Sequence, residues 1–274
     1  MVTRRDYSEE AVEAARSVMI ELIHLLGEYR DEIVLIGGWV PDLLFPEADP
    51  PHTGSMDIDL ALDHRQIDDS GYKTICQLLE SRGYVQGEQP YKYFRSVQTG
   101  GEKVEVEVDL LAGEYEGTGK SRRHQRVQDI KARKARGSDL AFDMYLEIEI
   151  SGTLPGGGKD KVSVRIASIV PFLVMKGMAL HDRIKEKDAW DVYHCLRSFP
   201  GGRDALVEEF QPHMTNKLVR EGLEKISSKF GSLEDVGPKW AADFDEIDDL
   251  DERDIRIRDA FERVDYLLRS LDVR

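Results

Sequence analysis

Apolar positions along the chain follow three rhythms. From Ser8 to Tyr29, Val12, Ala15, Val18, Met19, Leu22, Leu25 and Leu26 recur at three- and four-residue spacing, which predicts an amphipathic helix. Ser8 is its expected N-cap, Glu9 and Glu10 fill its first turn, and Gly27 is its stop. The next apolar stretch, Ile33 to Ile36, is continuous and reads as a buried strand that breaks at Gly37-Gly38. Trp39 to Phe45 then reads as a short helix, and 46–54 as a Pro-rich loop.

From Asp57 onward the rhythm is two. Asp57 and Asp59 alternate with Ile58 and Leu60 in a predicted strand from Asp57 to Leu62. In Lys103 to Leu111, Val104, Val106, Val108 and Leu110 alternate with Glu105, Glu107 and Asp109. Between them, Gln66 to Arg82 fits a helix ending at Gly83, and Tyr84 to Val97 is strand-like with a turn near Gln89-Pro90. Thr99-Gly100-Gly101 is a hairpin turn. Two more strands, Phe142 to Ile150 and Lys161 to Ile166, flank the turn Gly156-Gly157-Gly158.

After Ala167 the helical rhythm takes over. Helices are predicted over Ser168 to Lys185, Lys187 to Leu196, Arg203 to His213, Thr215 to Phe230 and Ile255 to Leu271. The expected fold is therefore α+β: a mixed sheet with flanking helices over residues 1–167, then a mostly helical half over 168–274.

Charge and cysteine content narrow the functional classes. The formal net charge of −15 disfavours a general nucleic-acid binder, so any contact with RNA needs a local basic surface. One such region exists, with Lys120, Arg122, Arg123, Arg126, Lys131, Arg133, Lys134 and Arg136. Only two cysteines occur, Cys76 and Cys195, without the spacing of a zinc site or a disulfide scaffold. No signal-peptide pattern and no membrane-length apolar run is present, so a cytoplasmic protein is expected. His181 and His194 lack metal-site spacing, while Cys195, Trp39 and Trp190 are read as packing residues.

The chemistry centres on the acidic strands. Asp57 and Asp59 share one strand face, where their mutual repulsion is relieved by a divalent cation. Asp109 stands at the end of a later strand, beside Ala112-Gly113. Glu105 and Glu107, on the same face as Asp109, are read as solvated. Gly37 and Gly38, between a strand and a helix, allow close backbone approach to a phosphate.

The order of a Gly-Gly turn, Ser55-x-Asp57-x-Asp59 and a later Asp109, followed by helices, resembles the nucleotidyltransferase superfamily with the DNA polymerase β-like fold. It is most similar to the AbiEii/AbiGii-type toxin branch, through Gly37, Gly38, Ser55, Asp57, Ile58 and Asp59 and through Lys176, Arg183, Lys187, Asp188 and Asp191. His52-Thr53-Gly54 stands where that branch usually has an Arg or Lys. The resemblance implies transfer of a nucleoside monophosphate from an NTP to an acceptor hydroxyl. Two Mg²⁺ ions would be held by Asp57, Asp59 and Asp109, with Lys176 neutralising phosphate charge as pyrophosphate leaves. Gly37, Gly38 and Ser55 would contact the triphosphate, assisted by Arg183, Lys187 and Asp188.

It further implies a toxin with a cognate antitoxin and an RNA acceptor such as a tRNA end. A small-molecule acceptor of aminoglycoside type is an alternative, suited by the acidic run 243–254. A catalytically silent binding module is a third reading, disfavoured by the presence of all three aspartates.

Overall fold

The computed structural model describes residues 2–63, 65–67, 74–113, 124–127 and 130–274, with 124–127, 130 and 131 described through the backbone alone. The chain is α+β. It divides into a sheet unit, residues 7–40 and 54–168, and a helical unit, residues 1–6, 41–53 and 169–274.

The sheet unit opens with α1 (Glu9–Leu25), capped by the Ser8 hydroxyl, which accepts from the Ala11 amide. Its buried face, including Ala15, Val18, Met19 and Leu22, packs on the sheet. The helix also buries Glu21, a charge made tolerable by Arg95 at 2.8 Å and Arg82 at 3.1 Å.

The strands are β1 (Ile33–Ile36), β2 (Asp57–Leu62), β3 (Val85–Gln86), β4 (Lys92–Thr99), β5 (Glu102–Ala112), β6 (His124–Val127), β7 (Ile130–Lys134), β8 (Tyr145–Thr153) and β9 (Lys159–Ala167). Their order is β3-β4-β5-β2-β1-β9-β8, with the β6–β7 hairpin joined through β7 to β5. Two pairings are central to the chemistry. β2 runs antiparallel to β1 and parallel to β5, so β2 is enclosed on both edges. The other edge of β5 is shared: β4 pairs as far as Asp109, and β7 takes over at Leu111 and Ala112. Asp109 therefore lies where one neighbour ends and another begins.

Several boundaries differ from the sequence-based expectation. The predicted helix from Gln66 is α3 (Ile75–Ser81), with a Thr74 capping box; residues 68–73 lie outside the described residues. Gln66 is in a turn, where it and Arg65 bond Asp63. The strand expected from Phe142 starts at Tyr145, because Leu140–Asp143 forms a short helix, α4, that buries Leu140 and Ala141. The described parts of the basic region are the strands β6 and β7 and the residues after β7 that carry Arg136, while Lys120, Arg122 and Arg123 lie outside the described residues.

The helical unit comprises most of α2 (Val40–Leu44), then α5 (Ile169–Asp182), α6 (Glu186–Ser198), α7 (Gly202–Phe210), α8 (Lys217–Lys229), α9 (Val236–Phe244) and α10 (Leu250–Ser270). α5 is buried on nearly every face, consistent with its run of apolar residues. It meets α8 at a glycine crossing: a Cβ on Gly177 would overlap the Gly222 carbonyl, and one on Gly222 would lie 2.7 Å from Val174 Cα. Trp190, Phe244, Phe210 and Phe230 form the aromatic core. Cys195 is fully buried, as its apolar neighbours predict, and among the described residues no helix is long and apolar enough to cross a membrane.

Candidate active site

The sheet unit assembles an acidic face from two parallel strands. Asp59 is the register partner of Asp109, and Asp57 of Glu107. Partners in register share a face, so four carboxylates stand in two adjacent rows. Ile58, Leu60, Val108 and Leu110 point the other way and are fully buried, which fixes the acidic side chains' direction. Glu107, read from the sequence as solvated, is thus directly beside Asp57. No local signal could reveal this, because the neighbour is fifty residues away in the chain.

Gly37 ends β1 against this face. Its φ is +73°, and a Cβ there would overlap Asp59 Oδ2. Only glycine satisfies both the left-handed backbone and the carboxylate's approach. Gly38 continues the same 3-10 turn, which leads into α2. Ser55, buried just ahead of β2, donates its hydroxyl to Asp57 Oδ1.

The structure thus gathers Gly37, Gly38, Ser55, Asp57, Asp59 and Asp109 in one unit and adds Glu107 and Lys92. Lys92, the register partner of Asp109, pairs with Glu107, and its Nζ lies 3.7 Å from Asp109 Oδ1.

Asp109 has the clearest electrostatic signature. Burial, with added repulsion from Glu107 and Asp57, raises its pKa to about 6, although Lys92 and Arg133 oppose the shift. Its Oδ1 is buried and accepts no hydrogen bond from the described residues. A buried carboxylate oxygen without a donor, beside other carboxylates, is the environment a hard divalent cation relieves. The donor set therefore fits Mg²⁺, an all-oxygen ion. As they stand, no three carboxylate, imidazole or thiol groups among the described residues already form a metal cage. Asp57 is engaged by Ser55, and Lys92 sits among the β5 acids.

The helical unit brings together Lys176, Arg183, Lys187 and Asp188, and with them Asp191 and His52. Lys176 Nζ is 2.8 Å from Asp188 Oδ1 and 2.6 Å from Asp191 Oδ2. Arg183 grips Asp188 with two bonds of 2.7 and 3.0 Å, and Lys187 Nζ is 2.9 Å from Asp191 Oδ1. Burial opposes charge at Lys176, but Asp188 and Asp191 outweigh it and hold the ammonium firmly protonated. For Lys187, burial prevails and the pKa falls. Asp188 and Asp191 are held below the usual carboxylate range: burial opposes this, but Lys176 and its companions overcome it. These two aspartates, which sequence alone allows to be an exposed helical pair, are buried ion-pair centres.

His52 occupies the loop position where the resemblance leads one to seek an arginine or lysine. Its Nε2 lies 2.9 Å from Asp191 Oδ1, and its side chain is fully buried. Burial and the Lys187 charge lower its pKa to about 3, against the pull of Asp191. It is therefore neutral, with Nε2–H donating to the carboxylate. Its ring lies 5.1 Å from Trp190 and from His194, so these three aromatic residues act in packing.

A Gly-Gly turn against strand-borne paired aspartates, a third aspartate on a parallel neighbour and a mixed sheet agree with the arrangement expected of a nucleotidyltransferase. The family model described as "Nucleotidyl transferase AbiEii toxin, Type IV TA system" matches residues 26–268. The chain belongs to this family and is a nucleotidyltransferase of toxin-antitoxin type, a family that implies an NTP substrate. A comparison with curated proteins finds no significant match.

Proposed function

We propose that the acidic face of the sheet unit is the catalytic centre of a Mg²⁺-dependent transfer of a nucleoside monophosphate to an RNA hydroxyl, such as that of a tRNA acceptor end. The observation that carries this reading is the register of β2 and β5, which sets Asp59 beside Asp109 and Asp57 in the same row.

Asp57 and Asp59 would hold two Mg²⁺ ions, with Asp109 joining at the acceptor side. Such ions supply charge stabilisation to both the attacking and the leaving oxygen. The residues do the remaining work. The acceptor oxygen forms its bond to the α-phosphorus as the bond to the β-phosphate bridging oxygen breaks, and pyrophosphate leaves. Asp109, beside Asp59 on the acidic face, would accept the hydroxyl proton of the acceptor. Gly37, Gly38 and Ser55 would present N–H and hydroxyl groups to the triphosphate. In the helical unit, Lys176, with Arg183 and Lys187, would meet phosphate charge, with Asp188 and Asp191 fixing the cations' positions.

RNA is favoured as acceptor by Arg133 on β7. It is the register partner of Leu111, two residues along β5 from Asp109, and its charge acts on Asp109. Lys134 and Arg136 follow it. The acidic run is partly occupied by arginines of its own unit, since Arg253 pairs with Asp243 at 2.5 Å and Arg256 and Arg4 pair with Asp245. That lessens its value as an aminoglycoside site.

The deciding experiment incubates the protein with each α-labelled NTP, Mg²⁺ and total RNA. Label is expected on RNA and absent with Asp57→Ala. Label on an added aminoglycoside instead would overturn the RNA reading. Unchanged transfer by Asp57→Ala would overturn the site itself. Family membership points to a cognate antitoxin, so growth arrest by the wild type and its relief by a genetically adjacent partner is the cellular counterpart.

A further inference from the structure

The acidic face carries its own counter-charge. Lys92 is the first residue of β4 and the cross-strand partner of Asp109, which places its side chain on the carboxylate face. The side chain is 23% exposed and bonds Glu107. Its Nζ remains 3.7 Å from Asp109 Oδ1, outside hydrogen-bond reach, so that oxygen keeps its capacity to accept. Burial acts against the ammonium's charge, but the Glu107 hydrogen bond and the charges of Asp109 and Glu107 hold its pKa above the ordinary lysine value. A lysine is a compact point charge on a flexible stem, able to swing aside without dismantling a strand. Because β4 ends its pairing at Asp109, the stem emerges at the margin of the β4–β5 ladder.

Resting on the catalytic reading above, we propose that Lys92 is the resident counter-cation of the acidic face. Its ammonium neutralises Glu107 and Asp109 in the ion-free protein and gives way when a divalent cation arrives. It thereby sets the affinity for that cation and acts as a positioning residue, touching neither nucleotide nor acceptor. The physical basis is competition: two cations within a few ångströms of one carboxylate repel, so removing the fixed one favours the mobile one.

The test is a titration of full-length protein with Mn²⁺, without nucleotide, followed by calorimetry and by the loss of the free-ion EPR signal. Wild type, Lys92→Met, Lys92→Gln, Lys92→Arg and Asp57→Ala are compared, each first shown to melt cooperatively. Both neutral variants are expected to bind Mn²⁺ at least about fivefold more tightly than wild type. Lys92→Arg is expected to stay within about twofold of wild type, because it restores the charge. Asp57→Ala is expected to lose most binding. Equal or weaker Mn²⁺ affinity in the neutral variants, with wild type binding and Asp57→Ala not, overturns the counter-cation role alone. Equal binding by wild type and Asp57→Ala overturns the catalytic reading, and this role with it. Two neutral variants keep the test decisive if one of them fails to fold.

Discussion

At the scale of single residues, the site depends on groups that tolerate little change. Gly37 combines a φ of +73° with contact against Asp59, so Gly37→Ala faces both backbone strain and a displaced carboxylate. Nucleotidyl transfer is expected to fall at least tenfold, with about 1–3 kcal/mol lost in urea unfolding. The buried histidines make a separate prediction about pH. His52 and His194 are held neutral, at pKa values of about 3 and about 4, both chiefly by burial. In the unfolded chain each titrates near 6.5. Between pH 4 and 6.5 the unfolded state therefore binds more protons, and stability falls as pH drops through that window. Each histidine contributes a slope of up to about 1.4 kcal/mol per pH unit. Melting temperatures should be flat above pH 7 and decline below 6.5. His52→Asn, which keeps a donor for Asp191, should show a decline shallower by up to one proton.

Among elements, the two interfaces that matter are built on opposite principles. β2 and β5 are locked by alternation: a one-residue slip of β2 would turn Asp57 and Asp59 into the core and Ile58 and Leu60 outward. α5 and α8 are locked by proximity, since the glycines at their crossing leave no room for a methyl group. Gly177→Ala is expected to push the helices apart and cost about 1–3 kcal/mol, measured as a lower urea midpoint with an unchanged slope. Because α5 also carries Lys176, the same variant should lower transfer activity beyond its loss of folded protein.

For the molecule as a whole, charge sets the terms on which RNA is met. A net charge of −15 repels a polyanion, so the proposed RNA contact must be local and weakly salt-dependent for a nucleic-acid enzyme. Replacing Arg133, Lys134 and Arg136 together with Ala is expected to reduce RNA labelling by about tenfold or more and to flatten its salt dependence. Pyrophosphate release from NTP with water as acceptor should fall less than RNA labelling, any change coming through the Arg133 charge on Asp109. An equal loss in both reactions would instead place these residues in the catalytic step.

Local periodicity determined much of this protein. Period-two alternation set Asp57, Asp59 and Asp109 on the strand face opposite the core, and the glycines after Ile36 marked the turn beside them, because each of these signals is written within a few residues. The helical half was legible for the same reason in α5 to α8 and most of α10, but α9 (Val236–Phe244) and the first turn of α10 fall where the sequence reads only as an acidic segment. What only the tertiary structure decided are the partnerships across long chain separation. Glu107 became Asp57's neighbour, Lys92 came to lie 3.7 Å from Asp109, and His52 became a neutral donor to Asp191. Strand register and burial create those pairings, and neither leaves a trace in the spacing of the residues involved.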